Sequence, residues 1–170
     1  MIFRIFVWLI MMVGGSALGL FLDRRWFPLL QRSILFHALT LALGVLAIWL
    51  VMRISRNTGR LLARMGREGD LPRGETNRLV TAGVYGCMRH PMHLGLLLFP
   101  LSLALLVGSP TFILLIAPLE AIFILALVKL VEEPEAIARF GDAYREYQRR
   151  VPMFNLRADC LRLLLRTPEP

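Results

Sequence analysis

Cysteine and histidine are scarce in this sequence, and each scarcity excludes a class of protein. Two cysteines occur among 170 residues, too few for the disulfide framework of a small secreted domain. Because the arginine distribution predicts that Cys87 and Cys160 lie on the cytoplasmic side, where thiols stay reduced, we expect both thiols to be reduced and no disulfide framework to form. Three histidines are too few for a dinuclear metal centre like those of membrane oxygenases.

Repeats and phosphate-binding glycine loops are also absent. The sequence has no G-x-G-x-x-G motif, no repeat with a period of 20 to 50 residues and no low-complexity segment. These absences argue against a dinucleotide-binding fold and against a repeat architecture.

Long apolar stretches are what the sequence has instead. Hydrophobic residues make up 56% of the chain and the mean hydropathy is +0.61, more than a soluble domain carries. Charges are absent from Ile5–Leu22, Ser33–Met52 and Leu94–Leu119, and Gly108-Ser109-Pro110 predicts a turn within the last of these. We therefore predict an all-α integral membrane protein, a single domain (1–170) with spans at about 4–22, 33–53, 91–107 and 111–130.

Arginine predicts how these helices are oriented. The connector from Arg53 to Arg78 carries seven arginines, against three in the connector from Asp23 to Arg32. The more basic loop is expected in the cytoplasm, which places both chain termini there as well. A secretory signal at the N-terminus is the alternative for the first span, but its apolar region exceeds the usual length of about 7 to 15 residues.

The net charge of +8 points to membrane lipid as the partner rather than to nucleic acid. Five arginines recur at helical spacing, so a helix continuing out of the second span would present a basic stripe to anionic headgroups. These are Arg53, Arg56, Arg60, Arg64 and Arg67. The arginines and leucines that alternate over Asn155–Arg166 predict a short interfacial helix.

One polar motif precedes the third span. Gly83 and Gly86 flank Tyr85 in a predicted turn, and Pro91 suits the first turn of a helix. His90 then lies at a helix start, where free backbone N–H groups attract carboxylates or phosphates. Met92 and His93 lie near the same opening, so the motif predicts a site for a small charged ligand. A purely structural helix cap is the alternative.

A second polar motif follows the fourth span. The adjacent carboxylates of Glu132 and Glu133 repel each other and require solvent or a cation, which Lys129, Arg139 or a bound ion can supply. A solvated helix end is the alternative explanation. If the third and fourth spans form a hairpin, both motifs lie at the same membrane face and can form one site.

Together the two motifs resemble the isoprenylcysteine carboxyl methyltransferase family, one of a group of membrane methyltransferases that includes phospholipid N-methyltransferases. The resemblance covers about residues 77–154. It rests on Leu-Val-Thr-Ala-Gly-Val-Tyr (79–85), Arg-His-Pro-Met-His-Leu-Gly (89–95), Glu132-Glu133, Phe140-Gly141, Tyr144, Tyr147 and Arg150-Val151-Pro152.

The resemblance implies S-adenosylmethionine as cofactor and a lipophilic or lipidated acceptor that enters from the bilayer. It assigns cofactor binding to Asn77, Arg78, Leu79, Val80, Tyr85, His90, Pro91, Met92, His93 and Glu132, with no metal ion. Glu132 would offset the cationic end of the cofactor. His90 or His93 would act as the base if the acceptor is an amine. We therefore count Glu132, His90 and His93 as candidate catalytic residues.

Two departures from the family pattern leave the acceptor open. The family commonly has tyrosine where this chain has His93, and many members have arginine where this chain has Val128. The alternatives are a phospholipid N-methyltransferase-like enzyme, a sterol-reductase-like enzyme with a nicotinamide cofactor, a non-catalytic membrane subunit, or an enzyme with one metal ion held by His90, His93, Glu132 and Glu133.

An ionisable residue within a predicted span is a candidate functional residue. Glu120 lies in the fourth predicted span, where it would line a tunnel for the lipid substrate or bond to a neighbouring helix. His37, in the second span, is the partner we suggest for it.

Overall fold

A computed structural model describes residues 2–70 and 76–166, with side chains from Phe6 onward. Within these ranges all regular secondary structure is helical, as predicted. The α-helices are α1 (Ile2–Trp26), α2 (Pro28–Gln31), α3 (Ile34–Met65), α4 (Pro91–Val107), α5 (Ala117–Leu127), α6 (Glu133–Phe140), α7 (Asp142–Arg150) and α8 (Ala158–Leu165). A 3₁₀ turn spans Gly83–Gly86, and π-helical segments span Phe112–Ile116 and Val128–Glu132.

Three helices are long and apolar enough to cross a bilayer. They are Phe6–Trp26, Ile34–Met65 and the continuous helix Phe112–Phe140, which includes both π segments, α5 and α6. The stretch predicted as the third span forms α4, which is also apolar but has only 17 residues. This set of helices confirms the predicted all-α membrane architecture.

The chain divides into two compact units. The first contains Met1–Val51 and Leu96–Leu125, and the second contains Met52–Gly95 and Ala126–Pro170. The boundaries fall within α3, within α4 and within the helix Phe112–Phe140, so each of these helices contributes to both units.

In the first unit, the predicted turn after α4 is capped by two side chains. Gly108 has φ +67°, which favours glycine because it lacks a Cβ. The Ser109 hydroxyl accepts a hydrogen bond from the Phe112 N–H at 3.1 Å, and Asp23 of α1 accepts one from the Thr111 N–H at 2.8 Å. Asp23 is fully buried, so its carboxylate satisfies an amide that the helix start leaves unpaired.

Small residues allow α1 to pack closely in this unit. A methyl group at Gly19 would lie 2.6 Å from Ser109 Oγ, and one at Gly15 would lie 2.9 Å from Glu120 Oε1. Glu120 is only 7% exposed. The suggested pairing of Glu120 with His37 is wrong, because His37 Nε2 bonds instead to the Gln31 carbonyl at 2.9 Å.

In the second unit, α3 continues to Met65 and α8 packs against it. The Arg53 Nε–H donates to the Leu165 carbonyl at 2.9 Å, and Asn57 Nδ2 donates to the Leu164 carbonyl at 3.2 Å. The predicted continuation of the basic helix is confirmed as far as Arg64, and Arg67 lies beyond the end of α3. The predicted helix in the C-terminal tail is confirmed as α8.

The expectation that the two cysteines stay unpaired is wrong. The structure joins Cys87 and Cys160 in a disulfide, with their Cα atoms 6.0 Å apart, a separation that a disulfide can span. Sequence could not show this pairing because 73 residues separate the two positions. They meet only because α8 folds back beside the 3₁₀ turn.

Alanine substitutions at two glycines of α1 test the close packing in the first unit. We expect Gly19→Ala to destabilise the protein by about 1–3 kcal/mol, because the added methyl group overlaps Ser109. Gly14→Ala is the matched control, since no neighbouring atom lies within 4 Å of the added methyl group. Thermal unfolding in detergent measures both variants, and equal melting temperatures would contradict this packing.

Candidate functional site

A cavity in the second unit brings the two sequence motifs together. Nine of the ten residues assigned to cofactor binding line it: Arg78, Leu79, Val80, Tyr85, His90, Pro91, Met92, His93 and Glu132. Aromatic side chains of α6 and α7 complete its wall, namely Phe140, Tyr144 and Tyr147. The cavity is therefore bounded by the segment before α4 and by the helices that follow the acidic pair.

Asn77 is the tenth residue, and it does not line the cavity. Its side-chain amide donates to the Glu68 carbonyl and accepts from the Glu68 N–H, both at 2.8 Å. Its backbone N–H donates to the Gly66 carbonyl at 2.9 Å. Asn77 therefore closes a loop, and it contributes to the cavity by positioning the chain that leads to Arg78.

Backbone hydrogen bonds hold the segment before α4 against the chain that follows α7. The Arg89 N–H donates to the Pro152 carbonyl at 2.9 Å, and the His90 N–H donates to the Met153 carbonyl at 3.2 Å. The Tyr147 hydroxyl donates to the Tyr85 carbonyl at 2.5 Å. These bonds give the Val151-Pro152 part of the motif a structural role, because its carbonyls fix the start of α4.

Glu133 is the buried centre of this site. Its Oε1 accepts hydrogen bonds from Arg89 Nε at 3.0 Å and from Arg89 Nη2 at 2.6 Å, and it lies 3.3 Å from His90 Nε2. The side chains of Arg89 and Glu133 are about one-tenth exposed. Arg139, one of the cations suggested for the acidic pair, donates to the Thr76 carbonyl at 2.9 Å, whereas the cation beside Glu133 is Arg89.

Glu132 has a different environment from its neighbour. Its side chain is 33% exposed and lines the cavity, and its Oε2 lies 2.9 Å from His93 Nε2. The His90 and His93 rings meet edge to face, with centroids 5.3 Å apart. One possible ligand atom from each of His90, His93 and Glu132 lies within 4.8 Å of the others. These three side chains could hold a metal ion, and Glu133 is not part of that group.

The π-helical segment Val128–Glu132 ends between the two adjacent carboxylates, which face different partners. Segments of this kind insert an extra residue into a helical turn and are frequent at functional sites. The segment ends at Glu132, which faces the cavity, whereas Glu133 begins α6 and faces Arg89. Val128, where many family members have arginine, is buried at 1% exposure.

Burial sets the protonation states around the cavity. Burial, assisted by repulsion from His93, lowers the pKa of His90 to about 4, although Glu133 opposes this shift. Burial also raises the pKa of Tyr144 to about 12 and raises the pKa of Tyr85 and Tyr147. At neutral pH His90 is therefore uncharged, and the three tyrosines keep their hydroxyl protons for donation.

The sequence prediction named Glu132 but left Arg89, Glu133, Tyr144 and Tyr147 outside the list of site residues. A signal for the tyrosines was available, because a spacing of three places them on one helix face, and both are buried. No sequence signal distinguished the buried glutamate from the cavity-facing one. That distinction depends on the partner that approaches each carboxylate.

The two adjacent glutamates make a matched test of this site. We expect Glu133→Gln to destabilise the protein by about 3–5 kcal/mol, because it leaves the buried Arg89 guanidinium without its anion. Glu132→Gln should cost about 1 kcal/mol or less, since its side chain is partly exposed. Unfolding in detergent measures both variants, and equal destabilisation would contradict the assigned roles.

The lowered pKa of His90 predicts a loss of stability in acid. The pKa of His90 in the folded protein lies below the ordinary value of 6.5. Neutral His90 therefore adds to the free energy of unfolding above pH 6.5, and this contribution is lost as the pH falls toward about 4. The expected loss is on the order of 3 kcal/mol. Melting temperatures of wild type and His90→Gln between pH 7 and pH 4.5 measure it. If the melting temperature of wild type falls no more steeply with decreasing pH than that of the variant, the lowered pKa of His90 is contradicted.

Comparison with known proteins identifies the family. The sequence model of a family described as phospholipid methyltransferase matches residues 35–143. Protein-S-isoprenylcysteine O-methyltransferase of Schizosaccharomyces pombe (strain 972 / ATCC 24843) is 27% identical over an alignment of 156 residues, and the alignment covers 85% of this chain. The chain spans 64% of the length of that relative.

The region matched by the family model includes every residue assigned to cofactor binding and ends just before Tyr144. The predicted family relationship is confirmed. The chain belongs to the phospholipid methyltransferase family.

Proposed function

We propose that this protein transfers a methyl group from S-adenosylmethionine to a lipophilic acceptor in the membrane, as an isoprenylcysteine carboxyl methyltransferase-like enzyme. The observation that carries the proposal is the cavity itself. Two motifs about 40 residues apart in the sequence meet in one cavity, within the region that the family match covers. The name of the fission yeast relative supports a lipidated acceptor.

The charges of the cavity suit this cofactor. Arg89 is paired with Glu133, and Arg78 lies 3.8 Å from Glu68, so Glu132 adds one formal negative charge beside two paired arginines. S-adenosylmethionine carries one net positive charge at neutral pH. Glu132 is the partly exposed carboxylate and is positioned to accept hydrogen bonds from the cofactor ammonium group. Neutral His90 adds no positive charge that would repel the sulfonium.

Other groups can bind the remaining parts of the cofactor. The first backbone N–H groups of α4 have no partner within the helix and favour a carboxylate. The aromatic rings of Tyr85, Phe140 and Tyr144 line the cavity and offer flat apolar surfaces for an adenine ring.

Methyl transfer depends on how the methyl donor and the acceptor are aligned more than on reactive side chains of the protein. When bound, S-adenosylmethionine supplies an electrophilic methyl group, and good alignment of the two reactants is worth about 7–11 kcal/mol of the barrier. A carboxylate or thiolate acceptor needs no base. An amine acceptor must first lose a proton, and His93, oriented by Glu132 at 2.9 Å, is the candidate base.

The membrane placement is part of the proposal. Four helices cross the bilayer, with α4 as the shortest, and the cavity and both termini lie on the cytoplasmic side. Support comes from the apolar helices and from the basic connector between α3 and α4. A lipophilic acceptor then reaches the cavity from the bilayer.

Calorimetric titration of detergent-purified protein with S-adenosylmethionine tests the proposal. We expect saturable binding to wild type, and affinity about 10-fold to 100-fold lower for Glu132→Gln, because a hydrogen bond to a charged group is lost. Glu135→Gln is the matched control, since it removes the same charge from an exposed position of α6 that does not line the cavity. Its affinity should equal that of wild type.

Absence of binding to folded wild-type protein would contradict the proposal. Titration with Zn²⁺ and with a nicotinamide cofactor would then test the two other enzyme classes. Cofactor binding without methyl transfer to any lipid acceptor would instead favour a non-catalytic subunit.

A further inference from the structure

The disulfide between Cys87 and Cys160 joins the cavity wall to the last described helix. Cys87 follows the 3₁₀ turn that carries Tyr85, and it precedes Met88, Arg89 and His90 in the chain. Cys160 lies in α8, outside the cavity lining. These are the two cysteines of the sequence, so the pair links two parts of the second unit that have different roles.

Apart from this bond, α8 is weakly attached. Only two of its side chains are buried, Cys160 and Leu164. Its carbonyls at Leu164 and Leu165 accept hydrogen bonds from Asn57 and Arg53. Leu163 is 42% exposed. Breaking the disulfide would leave an eight-residue helix held by one buried leucine, two half-buried leucines and a few hydrogen bonds, which favours local opening.

The cavity wall depends on the same region. The Cys87 carbonyl accepts a hydrogen bond from Asn155 Nδ2 at 3.3 Å, just before α8 begins. Tyr85, two residues from Cys87, lines the cavity and is held by Tyr147 through its carbonyl. Release of α8 therefore frees one side of the turn that positions Tyr85.

We propose that Cys87 and Cys160 form a reversible redox modification site, in which the disulfide holds α8 against the 3₁₀ turn and tightens the methyl-donor cavity. Intracellular disulfides are commonly transient and redox-sensing, which fits a site on the cytoplasmic side. Cys87 is partly exposed whereas Cys160 is 3% exposed, so exchange begins at Cys87. The effect on the methyl donor rests on the proposed function, but the release of α8 does not.

The reaction partner is a low-molecular-weight disulfide such as oxidised glutathione. The Cys87 thiolate attacks one of its sulfurs, which forms a mixed disulfide and releases one thiol. The Cys160 thiolate then attacks the Cys87 sulfur and displaces the second thiol. Two protein thiols are oxidised to one disulfide, and the reagent is reduced to two thiols. An excess of reduced thiol reverses both steps.

The test compares the full-length protein in detergent after treatment with oxidised glutathione or with dithiothreitol. Alkylation and mass measurement count the free thiols, and trypsin probes α8 at the exposed Arg157 and Arg162. We expect no alkylated cysteine after oxidation and two after reduction. Reduction should speed cleavage in α8 about tenfold and weaken S-adenosylmethionine binding severalfold.

Cys160→Ser is the control variant, because it cannot form the disulfide and leaves the cavity lining unchanged. Its α8 should be cleaved rapidly under both conditions, and dithiothreitol should not change its affinity for the methyl donor. If this variant fails to fold, the comparison of oxidised and reduced wild-type protein still shows whether the disulfide holds α8.

Two results would overturn the proposal. One is two alkylated thiols after treatment with oxidised glutathione, and the other is equal cleavage of α8 in both states. Failure of the methyl donor to bind in either state would contradict the proposed function alone, because the proteolysis result is independent of it.

Discussion

The second unit depends on one buried carboxylate. Glu133 accepts two hydrogen bonds from the Arg89 guanidinium and lies beside His90, so it connects the start of α4 to the start of α6. A buried ion pair is stabilising only when its remaining donors are also satisfied. Arg89 meets this condition, since its Nη1 donates to the carbonyls of Gln148 and Val151.

This arrangement leaves Glu132 available for a ligand. Two adjacent carboxylates near the membrane face would ordinarily both be exposed to solvent. Here the π-helical segment and the Arg89 contact direct one carboxylate inward and the other toward the cavity. The consequence is a partly exposed anion, oriented by His93, within a mostly apolar and aromatic wall. Such an anion suits a cationic ligand.

Sequence patterns predicted the helices well because apolar runs of bilayer length have few alternative structures. The turn at Gly108 was also predictable, since glycine, serine and proline each have a local reason to be there. Asp23 shows the limit of this reasoning. It was counted only as a loop charge, yet it is fully buried and accepts a hydrogen bond from the Thr111 N–H, 88 residues later in the chain.

The site was predictable to the extent that its chemistry lies in short motifs. The His90-Pro91 start of α4 and the acidic pair are local signals, and the structure places both at one cavity. What sequence could not supply were contacts between distant segments. The Glu68 partner of Asn77, the Arg89 partner of Glu133 and the pairing of Cys87 with Cys160 all depend on how loops fold back.

We propose that the methyl donor occupies the cavity between the segment before α4 and the helices α6 and α7. Hydrogen–deuterium exchange measured with and without S-adenosylhomocysteine tests this placement. We expect slower exchange in 78–94 and 129–147, with little change in α1 and the first half of α3. Protection confined to those two apolar helices, or no protection at saturating ligand, would contradict it.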